Sequence, residues 1–439
     1  MDNLVAARLQ MAFSLGFHIL FAVVGMGMPL LMVLAEWLGR KHHNPVLLDL
    51  ARRWSKGVGI LFAVGAVSGT VLSFELGLLW PAFMAVAGPV LGLPFSLEGF
   101  AFFLEAIFLG LYLYGWDRLA PWAHMACGVL VALCGTCSGI FVVTANAWMN
   151  APVGFQLWDG KVVDVEPWVA MGNPAALAQC IHMVLAAYAS VGFGVAGVHA
   201  GMLRRYPGNA LHAAGLRLAF PVGAVCILLQ LLSGHQSAQM VARQQPAKLA
   251  AMEGHWETER RAPMLLGGWS SNAQERTIGA IPIPWMLSVL CFDSPEAVVV
   301  GLKDIPVENR PPSGVVHLAF DTMVGLGMVM VLLALWGGVL RVKKRPWQDA
   351  PWFVRALSYA TPAGFVAVEA GWVVTEVGRQ PWIIQGVMRT RDAVTPMPGL
   401  VVPLVTFGAL YVVLGVVVVA LLRRQVFASA AGVGDTHGH

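Results

Sequence analysis

Histidine, methionine and carboxylate side chains recur inside stretches that are otherwise apolar: His18, Glu75, Glu98, Glu105, His182, His235, His317, Asp321, Met323, Glu369 and Glu376. These residue types can ligate haem iron. Carboxylates in apolar surroundings can also relay protons. Glu98 and Glu105 are seven residues apart, so one helix would carry both on one face. Any one of these residues reads equally well as a hydrogen-bonded core group. A set of them at one depth is harder to reduce to packing. Cys134-Gly-Thr-Cys137 has C-x-x-C spacing but sits in an apolar run with no second pair, so it reads as packing.

The elements that carry these residues are set by composition. The chain has 439 residues, 57% hydrophobic and 12% charged. Soluble domains carry about 25% charged residues. This excludes an ordinary soluble domain and points to an all-α integral membrane protein. Sixteen tryptophans suit interfacial belts. Nothing marks a nucleic-acid partner; the surroundings are a lipid bilayer. The first apolar stretch lacks a basic leader and is too long for a signal peptide, so it is expected to be a mature helix.

Apolar runs at 11–38, 55–80, 95–116, 122–145, 178–203, 217–235, 314–341, 352–376 and 400–422 predict nine transmembrane helices in a bundle. The expected divisions are 1–235 (helices 1–6), 236–313 (one long hydrophilic loop), 314–424 (helices 7–9) and 425–439 (a disordered tail). Alternate connections hold Arg40, Lys41, Arg52, Arg53, Lys56, Arg118, Arg204, Arg205, Arg217, Arg341, Lys343, Lys344, Arg345, Arg355, Arg423 and Arg424. The opposite short segments hold only Arg8, Lys161, Arg379, Arg389 and Arg391. The positive-inside rule then puts the N-terminus outside and the C-terminus in the cytoplasm. With that topology the His, Glu and Met residues fall in one layer, on the side of the long loop. The inner half is expected to hold few ionisable groups. Gly192, Gly194, Gly197 and Gly201 after His182 would admit either a flat cofactor or a close helix neighbour.

Several stretches, in order, resemble subunit I of the cytochrome bd-type quinol oxidases. They are Arg8-Leu9-Gln10 followed by His18; Glu98 to Glu105; Gly115-Trp116-Asp117-Arg118-Leu119; Ala145-Asn146 with Trp148-Met149; and Asn173-Pro174 followed by His182. Then come Lys248 to Glu253 with Trp256-Glu257-Thr258; Gly301-Leu302-Lys303; Phe320 with Met323-Val324; and Val368-Glu369-Ala370-Gly371-Trp372 followed by Gly378-Arg379-Gln380-Pro381-Trp382. They span nearly the whole chain. The short 236–313 loop is similar to that of the short-loop, often cyanide-insensitive, branch.

The resemblance implies a haem-bearing subunit that oxidises quinol at the outer face and reduces oxygen to water with cytoplasmic protons. It would generate proton motive force without pumping. His182 and Met323 would be axial ligands of a low-spin haem b. His18 and Glu369 would ligate the high-spin pair, a haem b and a haem d, or a further haem b in place of haem d. Glu98 and Glu105 would line a proton path. Lys248 and Glu253 would handle the quinol, taken as ubiquinol, in the periplasmic loop called the Q-loop. Arg8, Trp372 and Arg379 would support the haem sites. A second membrane subunit and a very small single-helix subunit are implied partners, and the bacterial cytoplasmic (inner) membrane is the implied location. A rival class, an ion-coupled transporter or channel, would also bury His and Glu, but would favour inverted repeats, and no such repeat is visible.

Overall fold

The computed structural model describes residues 2–424; the tail expectation for 425–439 lies outside the described residues. Among these, eight helices are long and apolar enough to cross a bilayer: α1 (Asn3–Lys41), α2 (Pro45–Leu79), α3 (Pro81–Tyr114), α4 (Pro121–Asn150), α6 (Ala176–Arg205), α7 (Ala210–Gln244), α10 (Ser313–Val342) and α14 (Val401–Leu422). Six shorter helices lie between them: α5 (Pro167–Met171), α8 (Pro246–Met252), α9 (Met286–Phe292), α11 (Pro351–Tyr359), α12 (Ala363–Val377) and α13 (Thr390–Ala393).

The stretch expected as one span at 352–376 is therefore two helices, α11 and α12. Proline at 362 has no N–H for the Ser358 carbonyl, and Thr361 Oγ1 donates to that carbonyl instead, at 2.7 Å. The break costs no unsatisfied group at that point. Other helices outrun the expected apolar windows. A 35-residue helix such as α2 is about 52 Å long, well beyond a hydrocarbon core of about 30 Å. Helical hydrogen bonding continues past the apolar window because the ends still pack, and α2 and α7 begin on asparagine caps. Proline opens α2, α3 and α4, where its missing N–H is not needed. Asn44 Oδ1 accepts from Val46 N (3.0 Å) to cap α2.

α1 packs on α2 and α4, α3 on α4, and α6 on α7, while α10 and α12 form a second layer against α6 and α7. The α6–α7 contact is backbone to backbone. A Cβ on Gly192 would overlap the main chain of Gly223. Gly194 likewise faces Phe365, and Gly201 faces Ser358. The small residues after His182 thus serve helix packing.

α7 continues to Gln244, so the insertion starts later than 236. It is ordered by α8, α9 and three antiparallel ladders: Glu259–Arg260 with Val298–Val299, Met264–Leu266 with Ile281–Ile283, and Trp269–Ser271 with Arg276–Ile278. His317, at the start of α10, fastens it. Its Nδ1 meets the Met252 carbonyl at 2.7 Å and its Nε2 meets that of Gly267 at 3.1 Å. Whichever ring nitrogen carries the proton, His317 ties α10 to the backbone of the insertion.

Candidate functional site

His18 on α1 points its Nδ1 at Ser68 Oγ of α2, 2.9 Å away. That hydroxyl also lies 3.0 Å from the Gly65 carbonyl, to which it can donate while accepting from His18. His182 on α6 repeats the device. Its Nδ1 lies 3.0 Å from Ser233 Oγ of α7, and that hydroxyl donates to the Gln230 carbonyl at 3.3 Å. With the serines donating to those carbonyls, both imidazoles carry the proton on Nδ1 and keep a lone pair on Nε2. A hydrogen bond at one ring nitrogen that fixes the tautomer is the usual support of a metal-ligating histidine. Both rings are part-buried rather than sealed.

Glu369 on α12 faces α1: its Oε2 would lie 3.4 Å from a Cβ at Gly16, half a turn from His18. Its Oε1 is buried without a hydrogen-bond partner. Met323 of α10 leans on α12, with Sδ 3.1 Å from the position of a Cβ at Gly371. Gly371 thus gives the thioether its room, two residues from Glu369. Trp372 Nε1 and two nitrogens of Arg379, Nε and Nη1, are also buried and unpartnered. Buried donors without partners, on and just after the helix that carries Glu369, fit the carboxylates of a bound group such as haem.

A column of carboxylates follows the α3–α4 contact. Glu105 is 5% exposed and lies against Gly25 of α1 and Gly135 of α4. Glu98 accepts a long hydrogen bond from Ser138 Oγ at 3.4 Å. Glu75 of α2, also buried, accepts from Gln10 Nε2 (2.9 Å) and Ser14 Oγ (2.8 Å) of α1.

At the mouth on the insertion side, Lys248 of α8 is not a solvated loop residue. It is 4% exposed, and its Nζ donates to Asn150 Oδ1 at 2.5 Å. Asn150 donates in turn to Asn146 Oδ1 (3.1 Å), and Asn146 Nδ2 donates to Glu376. Glu376 Oε2 also accepts from Arg379 Nη2 at 2.6 Å. Burial, then the neighbouring Arg379 guanidinium, hold the Lys248 ammonium well below its ordinary pKa, with Glu376 opposing them. Arg8 joins the rim through Gln380 Oε1 at 2.8 Å. Glu253, just past α8, is 5% exposed. Burial, then repulsion from Asp321 of α10, push its carboxyl up to about 8. Lys248 thus addresses α4 and α12, whereas Glu253 addresses α10 two residues from Met323.

The helix ends opposite the insertion carry two buried ionisable pairs. At the end opposite the insertion, His124 Nδ1 meets Glu36 Oε1 at 2.8 Å, its Nε2 meets the Tyr112 carbonyl at 2.9 Å, and Arg40 Nε donates to Glu36 at 2.7 Å. Both Glu36 and His124 are fully buried. His199 and His212 form a second pair there, Nδ1 to Nδ1 at 3.0 Å. Glu36 and Arg40 stand four apart, a spacing that could have flagged the first pair. Nothing in the sequence ties either to His124. Asn146 and Asn150, which join Lys248 to Glu376, were also not legible as a relay. All six cysteines are free, and Cys134 and Cys137 lie within α4.

Residues 6–429 match the family model described as cytochrome bd terminal oxidase subunit I. The chain is 37% identical over 426 residues to a putative cytochrome bd menaquinol oxidase subunit I of Bacillus subtilis (strain 168), covering 96% of each. It is 33% identical over 444 residues to that organism's cytochrome bd ubiquinol oxidase subunit 1, covering 97% of this chain and 94% of the relative. A solved bd oxidase structure from Geobacillus thermodenitrificans superposes with a TM-score of 0.91 at 38% identity, covering 97% of this chain and 98% of that one.

Proposed function

This chain belongs to the cytochrome bd terminal oxidase subunit I family, and from that premise we propose how its residues divide the work. It is a quinol:oxygen oxidoreductase of the respiratory chain, and it works with a partner subunit in a membrane complex. Membership in that family sets the transporter reading aside.

His182 and Met323 would hold a low-spin haem b; His18 and Glu369 would each hold one high-spin haem, one a haem b and the other a haem d or a second haem b. Bound haem would supply the one-electron chemistry for oxygen reduction. The chain supplies the rest. Ser68 and Ser233 keep the two imidazoles in the ligating tautomer. Arg379 and Trp372 offer buried donors to propionates, with Arg8 at the rim. Lys248 holds a quinol oxygen at the insertion side. Glu253 takes the phenolic proton, since a carboxyl titrating near neutrality suits a general base. Glu105 and Glu98 carry protons from the opposite side along α3. Protons released outside and taken up inside separate charge without a pump. The observation that carries this reading is the pair of serine-locked imidazoles whose Nε2 atoms face outward from their hydrogen-bonded partners.

α11 and α12 together act as one broken crossing, which gives nine, with the N-terminus and the Q-loop outside and the C-terminus in the cytoplasm of a bacterial inner membrane. Lipid-level residues such as Phe100, Phe103 and Ile107 on α3 stay exposed in this chain and offer a face to the second membrane subunit or to a small single-helix one. The substrate is a quinol, ubiquinol or menaquinol, as the relatives' names include both. A reduced-minus-oxidised spectrum of the purified oxidase tests the haem assignment: three haems per chain support it, and one or none refutes it.

A further inference from the structure

Two arginines from different helices close on one exposed aromatic ring at the end of the bundle opposite the insertion. The Arg204 guanidinium, at the end of α6, lies 5.4 Å from the centre of the Tyr359 ring, and that of Arg355, on α11, lies 5.9 Å from the same ring. Arg355 also lies 5.7 Å from the ring of Trp352. Tyr359 is 65% exposed and Trp352 is 70% exposed. Neither arginine has a carboxylate partner among the described residues.

An arginine in the last turn of a helix complements the helix dipole, which accounts for Arg204. Arg355 stands four residues before Tyr359 and three after Trp352 on α11, so helix spacing lays it against both rings, and Arg204 is the group that arrives from another helix. Both guanidiniums also reach the Tyr359 hydroxyl, a neutral group that leaves their two positive charges uncancelled, so an anion beside them would be favoured. Guanidinium pairs bind phosphate oxygens in a fork. The flanking Trp and Tyr are the residues that settle at headgroup level. A soluble anion would have no use for two exposed aromatic rings, whereas a lipid places its headgroup and its glycerol backbone there together.

We propose that Arg204 and Arg355, framed by Tyr359 and Trp352, form a binding site for the phosphate headgroup of an anionic phospholipid. Arg341, Lys343, Lys344 and Arg345, in the connection that leads to α11, add positive charge at the same end. The site is independent of haem and quinol, and its placement in the cytoplasmic leaflet rests on the orientation proposed above.

The test uses the purified oxidase complex in detergent, titrated with phosphatidylglycerol and, separately, with phosphatidylcholine, and read by native mass spectrometry. The wild type should retain phosphatidylglycerol in preference to phosphatidylcholine. R204Q/R355Q should bind phosphatidylglycerol at least roughly tenfold more weakly, with phosphatidylcholine binding unchanged. Haem bands and quinol-dependent oxygen consumption of that variant should match the wild type, which shows that it is folded. Equal phosphatidylglycerol binding by wild type and variant would overturn the proposal. So would displacement of the lipid by millimolar inorganic phosphate, which would make this a site for a free anion. Loss of a partner subunit from the variant with lipid binding intact would instead assign the arginines to a protein carboxylate, and would also overturn it.

Discussion

Lys248 and Asn150 are 98 residues apart in sequence, yet the lysine Nζ donates to the asparagine Oδ1 at 2.5 Å inside the protein. The contact joins the Q-loop to the end of α4 and, through Asn146 and Glu376, to Arg379. Removing the amide leaves the buried lysine Nζ without its acceptor, at a cost of roughly 1–3 kcal/mol. Asn150→Ala should lower quinol-dependent oxygen consumption about as much as Lys248→Ala does, with haem bands unchanged. An artificial donor that bypasses quinol should restore most of the rate. Equal losses with both donors would place the defect elsewhere.

Glu253 gives a pH signature. Its carboxyl titrates near 8, so the base form gains population as pH rises towards that value. The quinol oxidation rate should climb through neutrality and level off above pH 8, and Glu253→Gln should lower the rate and flatten the climb. The stability sign is opposite. A carboxyl whose pKa is raised on folding binds its proton more tightly in the folded state, so it costs stability as pH rises from the ordinary carboxylate range to about 8. Thermal midpoints measured from pH 5 to 9 should therefore fall less steeply in Glu253→Gln.

For the low-spin haem, Met323→Leu and His182→Ala should each remove its absorption bands while leaving much of the high-spin signal, because neither Leu nor Ala offers a lone pair. Ser233→Ala should be milder. It keeps the ligand and loses the hydrogen bond that fixes the His182 tautomer, so haem occupancy or midpoint potential should shift while the band remains. A normal spectrum and potential in Met323→Leu would refute the axial assignment.

Glu36 and His124 form a buried pair at the opposite end. His124→Leu removes one of the two cationic or donor partners of a fully buried carboxylate and should destabilise the protein by about 3 kcal/mol or more. Glu36→Gln should cost less, since the amide is neutral and can still accept from Arg40. Thermal unfolding of both variants, followed by loss of the haem bands, separates these outcomes.

The membrane class and most spans could be read from apolar run length alone, because lipid forces every crossing backbone to satisfy itself by helix. His18, His182, Met323 and Glu369 could be picked out because ionisable and ligating groups in such runs are too costly to be incidental. Pro362 broke an expected span because run length does not register where the chain turns. What the sequence could not show is which side chains meet. Lys248 and Glu253 are five residues apart and look like neighbours in a polar loop, yet they face different helices. Glu36 and His124 sit in separate apolar runs, and only the packing of α1 against α4 makes them a pair. Periodicity and composition act through a few adjacent turns, so they define elements and their faces. Partner choice across 88 or 98 residues depends on how helices pack, and the backbone itself decides this at contacts such as Gly192 on Gly223.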